Sequence, residues 1–273
     1  MAETERSHDV QGSRRYATAA LAVLLLAAGC SNPSGAGSEG GHGRTSPAAA
    51  PSSAVPTDAA GDPLVRPRCA EPSEGTFLHA KGAGPRLTSV LLLGRGTRGV
   101  VVGAQANGGI CQVLPFARDL VGKGYHVAVF DWVTSQYGDD MTSATRALIA
   151  DGAVKVVLGG FSRGALVGLG IAPSVGPPVV GVFSVSGGPS TAEGFGSVAS
   201  LSGFPGPILL VGSVGDPVFP PATTDAIAAA HTGPETVLTV PGDAHALALL
   251  RGPEGPRVQA AIDAFLARML PSA

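Results

Sequence analysis

The stretch KVVLGGFSRGALVGL, residues 155–169, contains the pattern that decides the fold. Its apolar start predicts a buried strand, GFSRG predicts a tight turn, and ALVGL predicts a helix. Gly160 and Gly164 flank Ser162 in a G-x-S-x-G pattern, which is typical of a strained turn that presents a nucleophile. Ser162 is therefore predicted to be a nucleophilic serine. The alternative is an incidental serine in a glycine-rich loop, which a chain with 40 glycines keeps open.

Apolar runs alternate with helical patterns on both sides of this stretch. Strands of this composition, alternating with helices, predict an α/β fold with a doubly wound, mostly parallel sheet covered on both faces. No helix is predicted between the first two strands, so we expect them to be antiparallel. The predicted strands are 89–93, 100–102, 126–130, 154–158, 179–185, 208–211 and 237–240, and the predicted helices are 114–121, 141–150, 165–171, 223–230 and 255–270.

Two residues downstream of Ser162 are candidates for the groups that activate a serine. A hydroxyl needs a base within hydrogen-bond reach and a third group that orients the base. Asp216 follows the strand 208–211 and His245 follows the strand 237–240, in the order Ser, Asp, His expected for this strand-turn-helix arrangement. Asp243 is the alternative acid, but it precedes His245 too closely in sequence. Asp216 could also merely shape a turn, and His245 could be a surface residue.

An oxyanion hole needs two backbone N–H donors. The residue after the nucleophile, Arg163, is expected to supply the first. The loop 103–109 is expected to supply the second, with Gln105 preferred and Ala104 or Ala106 as alternatives.

The segment GRGTRG, residues 94–99, matches the dinucleotide-binding pattern G-x-G-x-x-G. That site requires a helix directly after the glycines, whereas a β-branched run follows here. We therefore interpret the segment as a connection between adjacent strands and predict no cofactor. The sequence has neither an H-E-x-x-H motif nor paired C-x-x-C motifs, so no metal site is predicted.

The N-terminal part of the chain predicts export. In residues 1–30, Arg14 and Arg15 precede an apolar run that is too short to be a permanent membrane anchor. The run ends in LAAGC, residues 26–30, which resembles the lipobox of bacterial lipoproteins and implies lipidation of Cys30 and attachment to the outer face of the cytoplasmic membrane. Cleavage without lipidation, and hence secretion, is the alternative. Residues 31–67, rich in Gly, Ser, Ala and Pro, predict a disordered tether before a folded domain at 68–273.

The remaining cysteines and the charge restrict the chain further. If lipid occupies Cys30, then Cys69 and Cys111 are the thiols that remain, and in an exported protein we expect them to form a disulfide. The alternative is two unpaired cysteines. The net charge of −2 and the lack of a basic, aromatic-rich run argue against a nucleic-acid partner. We expect a monomer.

Residues 77–270 resemble the α/β-hydrolase superfamily, nearest to its dienelactone-hydrolase-like and esterase members. GGICQVLPFA, residues 108–117, and GYHVAVFD, residues 124–131, are similar to that family's passage from oxyanion loop to fourth strand. The chain departs from the family at Ala104, where members often carry a histidine. The short connection 186–207 predicts little or no cap. We expect hydrolysis of small or short-chain esters through an acyl-enzyme. The alternatives are a non-catalytic binding lipoprotein on the same scaffold and an envelope acyltransferase.

Overall fold

An eight-stranded sheet organises the computed structural model, which describes residues 64–82, 86–133, 135–188 and 198–272. These residues belong to one compact unit, Ser53–Ala273. The predicted leader 1–30 with Cys30 lies outside the described residues, as does the tether up to residue 63. The predictions for those segments remain predictions.

The strands lie in the order β1-β2-β4-β3-β5-β6-β7-β8. Strands β3 to β8 are parallel to one another, whereas β2 is antiparallel to both β1 and β4. This mostly parallel arrangement confirms the predicted fold class. The strand bounds are β1 Thr76–Lys81, β2 Leu87–Leu93, β3 Arg98–Gly103, β4 His126–Phe130, β5 Lys155–Phe161, β6 Val179–Val185, β7 Ile208–Ser213 and β8 Glu235–Val240.

Helices follow most of the parallel strands and cover the sheet. Their bounds are α1 Ile110–Gly122, α2 Tyr137–Ala150, α3 Arg163–Val175, α4 Pro221–Ala230, α5 Leu247–Arg251 and α6 Gly255–Met269. A short 3₁₀ helix, Val198–Gly203, lies between β6 and β7. Residues 189–197 of this connection lie outside the described residues, so the expectation of little or no cap concerns a segment that is only partly described.

The first two predicted strands run in opposite directions, as expected, but they are not neighbours. They are the strands β2 and β3, and β4 lies between them and pairs with both. Every residue of β4 is buried, so this apolar strand favours a position with a neighbour on each side. The segment 94–99 therefore links strands that are not adjacent. The edge strand β1 was not predicted, because it is only half-buried and lacks a continuous apolar run.

Successive side chains of the central strands point to opposite faces of the sheet, and they form an apolar layer on each face. Val100 and Val102 of β3 face one layer, and Val101 faces the other, as the side-chain period of a strand requires. The helices α1 and α6 contribute to the first layer, and α2 and α3 to the second. Within the described part of the chain, no helix is both long and apolar enough to cross a membrane.

Candidate active site

Ser162 lies at the sharp turn between β5 and α3. Its backbone has φ 52° and ψ −109°, an unfavourable conformation for a residue with a side chain. Such strain is found at functional turns when the surrounding structure holds it in place. Ser162 is 9% exposed, and its N–H donates to the carbonyl of Val185 at 3.0 Å. This is the geometry predicted for the nucleophile from the G-x-S-x-G pattern.

The two glycines around Ser162 are required by close backbone contacts. A Cβ atom on either Gly160 or Gly164 would collide with the backbone of Gly103 at the end of β3. The N–H of Gly164 also donates to the carbonyl of Ala104 at 3.0 Å. The turn thus packs directly on the strand that leads into the predicted oxyanion loop.

Asp216 and His245 form the pair predicted from their positions after β7 and β8. The Nδ1 atom of His245 lies 2.9 Å from both carboxylate oxygens of Asp216. The Asp216 side chain is fully buried, whereas 19% of the His245 side chain is exposed. The carboxylate can therefore orient the ring while the ring remains accessible to a substrate. Asp243, the alternative acid, is exposed.

The Asp216 carboxylate remains ionised because several donors bind it. Burial acts to raise its pKa, but hydrogen bonds from the backbone N–H of Phe219, the ring of His245, the N–H of Val218 and the hydroxyl of Ser186 lower the pKa below its ordinary value. The two backbone bonds are 3.0 Å and 2.9 Å long. A negative charge is thus maintained beside His245, where it can stabilise a positively charged imidazole.

Two hydrogen bonds join the loops that carry Asp216 and His245. The N–H of Gly215 donates to the carbonyl of Gly242 at 2.8 Å, and the hydroxyl of Ser213 donates to the carbonyl of Ala244 at 2.8 Å. Because both bonds lie within three residues before Asp216 and before His245, they fix the relative position of the acid and the base.

Ser186 connects this pair to the nucleophile turn. It follows Val185, which binds the N–H of Ser162, and its own hydroxyl accepts the N–H of Ala246 at 2.9 Å. Ser186 is buried and has φ 50°. Ser162, Asp216 and His245 follow β5, β7 and β8, whose carboxyl ends share one edge of the sheet. The structure therefore brings the three predicted residues to one edge. Sequence reasoning missed Ser186, which has no motif around it.

The backbone N–H of Arg163 is suited to stabilise an oxyanion. Arg163 is the first residue of α3, and the first N–H groups of a helix have no partner within the helix. The N–H of Gly164, in contrast, is occupied by Ala104.

The second predicted donor, Gln105, has its N–H engaged elsewhere. It donates to the side-chain oxygen of Gln112 at 2.9 Å, while the side-chain oxygen of Gln105 accepts the N–H of Leu247 at 3.0 Å. Gln105 thus connects α1 to the loop of the base. An oxyanion could use this N–H only after the bond to Gln112 breaks, so the role of Gln105 stays a prediction, with Ala104 and Ala106 as the alternatives.

The predicted disulfide is present, and it is attached to the helix that follows the predicted oxyanion loop. Cys69 and Cys111 are joined, with their Cα atoms 5.6 Å apart. Cys111 directly precedes Gln112 at the start of α1, so the crosslink holds the helix that supports Gln105. Asp131, after β4, supports the same helix start by accepting the N–H of Ile110 at 2.8 Å. Burial raises the pKa of Asp131, and this single hydrogen bond only partly opposes the rise.

An aromatic pair lies beside the nucleophile turn on the β4 side. The guanidinium carbon of Arg163 is 4.2 Å from the ring centroid of Tyr137 and 5.9 Å from that of Trp132. The two rings are 5.6 Å apart and nearly perpendicular. The sequence did not indicate these ring contacts of Arg163, because contacts between β4, α2 and α3 leave no local signal.

One cavity lies away from the candidate site, and no metal cluster extends the site within the described residues. A cavity of about 560 Å³ is lined by residues including Gly96, Arg98 and Lys155. It lies at the amino ends of the strands, opposite to Ser162. No group of three or more His, Cys, Asp or Glu residues in the described ranges could hold a metal ion.

Comparison with known proteins places this geometry in a familiar fold. No protein-family model matches the chain, and no curated protein matches it. Among solved structures, it is similar to a thermophilic esterase from Thermogutta terrifontis, with a TM-score of 0.58 and 16% identity over 72% of this chain and 100% of the esterase. It is also similar to a dienelactone hydrolase from Anabaena variabilis, with a TM-score of 0.57 and 16% identity over 71% and 98% of the two chains.

A puromycin-hydrolyzing peptidase from Mycobacterium tuberculosis has a TM-score of 0.59 and 18% identity over 72% of this chain. The match spans only 40% of the peptidase. Identities this low establish the fold alone. The chain has the α/β-hydrolase fold.

Proposed function

We propose that the protein is an exported, membrane-tethered serine hydrolase that cleaves small or short-chain esters through an acyl-enzyme. The observation that carries this proposal is the combination of the strained Ser162 turn with the His245–Asp216 pair, 2.9 Å apart, at the same edge of the sheet. A binding protein has no need of a buried, multiply hydrogen-bonded carboxylate behind a partly exposed histidine. The esterases among the similar structures support an ester as the substrate.

In the proposed reaction, His245 removes the proton from Ser162 as the hydroxyl oxygen attacks the ester carbonyl. The tetrahedral intermediate carries a negative charge on the former carbonyl oxygen, which the N–H of Arg163 stabilises. His245 then donates its proton to the departing alcohol, and the C–O bond to that alcohol breaks. Water, deprotonated by His245, hydrolyses the acyl-Ser162 ester and regenerates the enzyme.

Asp216 acts through His245 in this scheme. Its lowered pKa means that it stays ionised at neutral pH, so it keeps the proton on Nδ1 and leaves Nε2 to exchange a proton with Ser162. The positive charge that develops on the ring in the transition state lies beside this buried carboxylate. Because the surroundings are low in polarity, that interaction is stronger than it would be in water.

Release of 4-nitrophenol from 4-nitrophenyl butyrate by the full-length protein tests this function. We expect a burst followed by steady turnover in the wild type, and loss of both in Ser162→Ala. Ser174→Ala, at the other end of the same helix, is the matched control and keeps full activity. Activity on emulsified long-chain triglyceride should be lower than on the butyrate. A folded wild type without turnover on any soluble ester would contradict the proposal and favour a binding role.

Membrane attachment is proposed from the sequence of residues 26–30 and needs its own test. In a bacterial host, the wild type should fractionate with membranes, whereas Cys30→Ser should appear in the soluble fraction. If the two proteins fractionate alike, lipidation at Cys30 is excluded as the anchor.

A further inference from the structure

The Arg163 side chain is held in place beside the candidate nucleophile. Its guanidinium lies over the ring of Tyr137, 4.2 Å from the centroid, and Tyr137 packs against Trp132. Trp132 in turn packs edge-on against the buried Phe130 of β4, with centroids 4.8 Å apart. Aromatic faces attract a cation and restrict its movement. A long, flexible side chain is thereby given one preferred position at the mouth of the site.

Among the described residues, no carboxylate forms an ion pair with this guanidinium. Two of the three acids that lie after β4 and in the first turn of α2 have other partners. Asp131 accepts the N–H of Ile110, and Asp140 accepts the hydroxyl of Thr88 at 2.8 Å and the N–H of Val133 at 3.2 Å. An aromatic face offers no lone pair to an N–H group in the guanidinium plane, so the planar donors of Arg163 still lack an acceptor within the described chain.

The sheet order indicates which part of a substrate would meet Arg163. Ser162 follows β5; the base and its acid follow β8 and β7 on one side, and Trp132 follows β4 on the other. The leaving alcohol must face His245, because the ring returns its proton to that group. The acyl group therefore extends in the opposite direction, toward Trp132, Tyr137 and the guanidinium of Arg163.

We propose that Arg163 makes the site selective for esters whose acyl group ends in a carboxylate, such as half-esters of small dicarboxylic acids. This inference rests on the proposed function and specifies its substrate class. A carboxylate supplies two oxygens in the geometry of the guanidinium fork and neutralises a half-buried charge. In the free protein, the aromatic platform holds the guanidinium ready, which reduces the entropy lost on binding.

The test compares esters that differ only in this terminal charge. The substrates are the mono-4-nitrophenyl ester of adipic acid and 4-nitrophenyl hexanoate, which have the same chain length. A charge-assisted hydrogen bond predicts that the full-length wild type prefers the adipate by roughly 10-fold or more in kcat/KM. Arg163→Met should bring the ratio of the two kcat/KM values close to unity, and Arg163→Lys should restore it in part.

Arg268→Met is the matched control, because Arg268 is an exposed arginine that also lies over a ring, 5.4 Å from the centroid of Phe265. It should leave the ratio unchanged. Tyr137→Leu removes the platform and should lower the ratio while the arginine remains. A circular dichroism spectrum and thermal transition of each variant show whether it is folded.

Binding can be measured without turnover, because Trp132 is the one tryptophan in the chain. Titration of Ser162→Ala with glutarate should change the intrinsic fluorescence with saturation, and the change should be absent in Ser162→Ala/Arg163→Met. Valeramide, which has no charge, should give no saturable change in either protein.

The two proposals fail in different ways. Wild-type turnover of hexanoate that depends on Ser162, with equal kcat/KM for the adipate, would overturn the role of Arg163 and leave the hydrolase intact. If neither ester were turned over, the proposed function would fail and the glutarate titration would decide carboxylate binding. Saturable glutarate binding that persists without Arg163 would overturn the inference.

Discussion

The two sides of the candidate site differ in how their polar groups are satisfied. On the β7–β8 side, Asp216 accepts four hydrogen bonds and its pKa lies below the ordinary value. On the β4 side, the one hydrogen bond that Asp131 accepts from the described residues is that of the Ile110 N–H, and burial raises its pKa. The indole N–H of Trp132 is also buried without a partner in the described residues, and the Arg163 guanidinium has ring contacts but no carboxylate.

We relate this difference between the two sides to two tasks, proton transfer and substrate binding. The acid and base must keep one geometry throughout a reaction cycle, and a fully satisfied network gives that rigidity. A binding surface, in contrast, gains affinity when its donors still lack acceptors before the ligand arrives. We therefore infer that the β7–β8 side performs proton transfer and that the β4 side binds the acyl group.

The largest difference in kcat is expected between substitutions of two acids on the β7–β8 side. Asp216→Asn removes the charge that orients His245, and we expect kcat to fall by roughly 10³- to 10⁴-fold. Asp243→Asn, an exposed acid in the same region, should change kcat by less than about twofold, since surface changes are usually small. Steady-state kinetics on 4-nitrophenyl butyrate measure both. Equal losses in the two variants would show that the acid has been misassigned.

Removal of the disulfide, which lies on the β4 side of the site, should destabilise the folded protein. Cys69 and Cys111 are 42 residues apart, so Cys69→Ser/Cys111→Ser should lower the free energy of unfolding by about 3 to 4 kcal/mol through the entropy of the unfolded chain. Urea unfolding gives this value. Ester hydrolysis at low temperature, where the variant stays folded, should be only slightly reduced, because the base and its acid are held by other bonds. Unchanged stability would mean that the crosslink restrains nothing.

Ser186→Ala should weaken the satisfied network by about 1 to 3 kcal/mol, since it leaves the N–H of Ala246 without its acceptor. Part of this cost depends on pH. The folded pKa of Asp216 is below its unfolded value, so its contribution to stability is present above the unfolded pKa and is lost as pH falls through the folded pKa. The variant raises the folded pKa, and its cost should therefore shrink in acid.

Urea unfolding at neutral pH and below pH 4 tests this dependence. Ser143→Ala is the control, because Ser143 is also buried and its hydroxyl donates to the carbonyl of Asp139 rather than to a carboxylate. Its cost should be similar at both pH values. A pH-independent cost for Ser186→Ala would exclude its proposed effect on Asp216.

Asp131→Asn should have the smallest effect on the free energy of unfolding, and it should stabilise the protein rather than destabilise it. Because the folded pKa of Asp131 is raised, the stability linked to its protonated form is present below the unfolded pKa and lost as pH rises through the folded pKa. The amide oxygen can still accept the N–H of Ile110 without a buried charge. We expect a gain of about 0.5 to 1 kcal/mol at pH 7 and none in acid. Destabilisation at pH 7 would show that the carboxylate charge is needed.

The sequence predicted those features that depend on local pattern. The G-x-S-x-G turn, the alternation of strands and helices, and the positions of Asp216 and His245 after apolar strands are all local signals. They led to the right fold class and to three residues that the structure brings to one edge. The cysteine pairing followed from the predicted export environment and the small number of thiols.

Features that depend on tertiary contacts could not be predicted. The apolar sequence of β4 favours a central position, but other strands of the sheet are equally apolar, so its placement between β2 and β3 could not be derived from the sequence. Ser186 gains its role from strands distant in sequence, and Gln105 loses its free N–H to a side chain on α1. The contact of Arg163 with Tyr137 likewise arises only when α2 packs beside α3.

Covalent trapping of the nucleophile tests the central claim most directly. The full-length protein is treated with a fluorophosphonate, digested and analysed by mass spectrometry. The account predicts a single phosphonyl adduct on the peptide that contains Ser162, loss of ester hydrolysis in proportion to labelling, and much slower labelling in Asp216→Asn. Hydrolytic activity that survives complete labelling, or an inactivating adduct on a different serine, would contradict it.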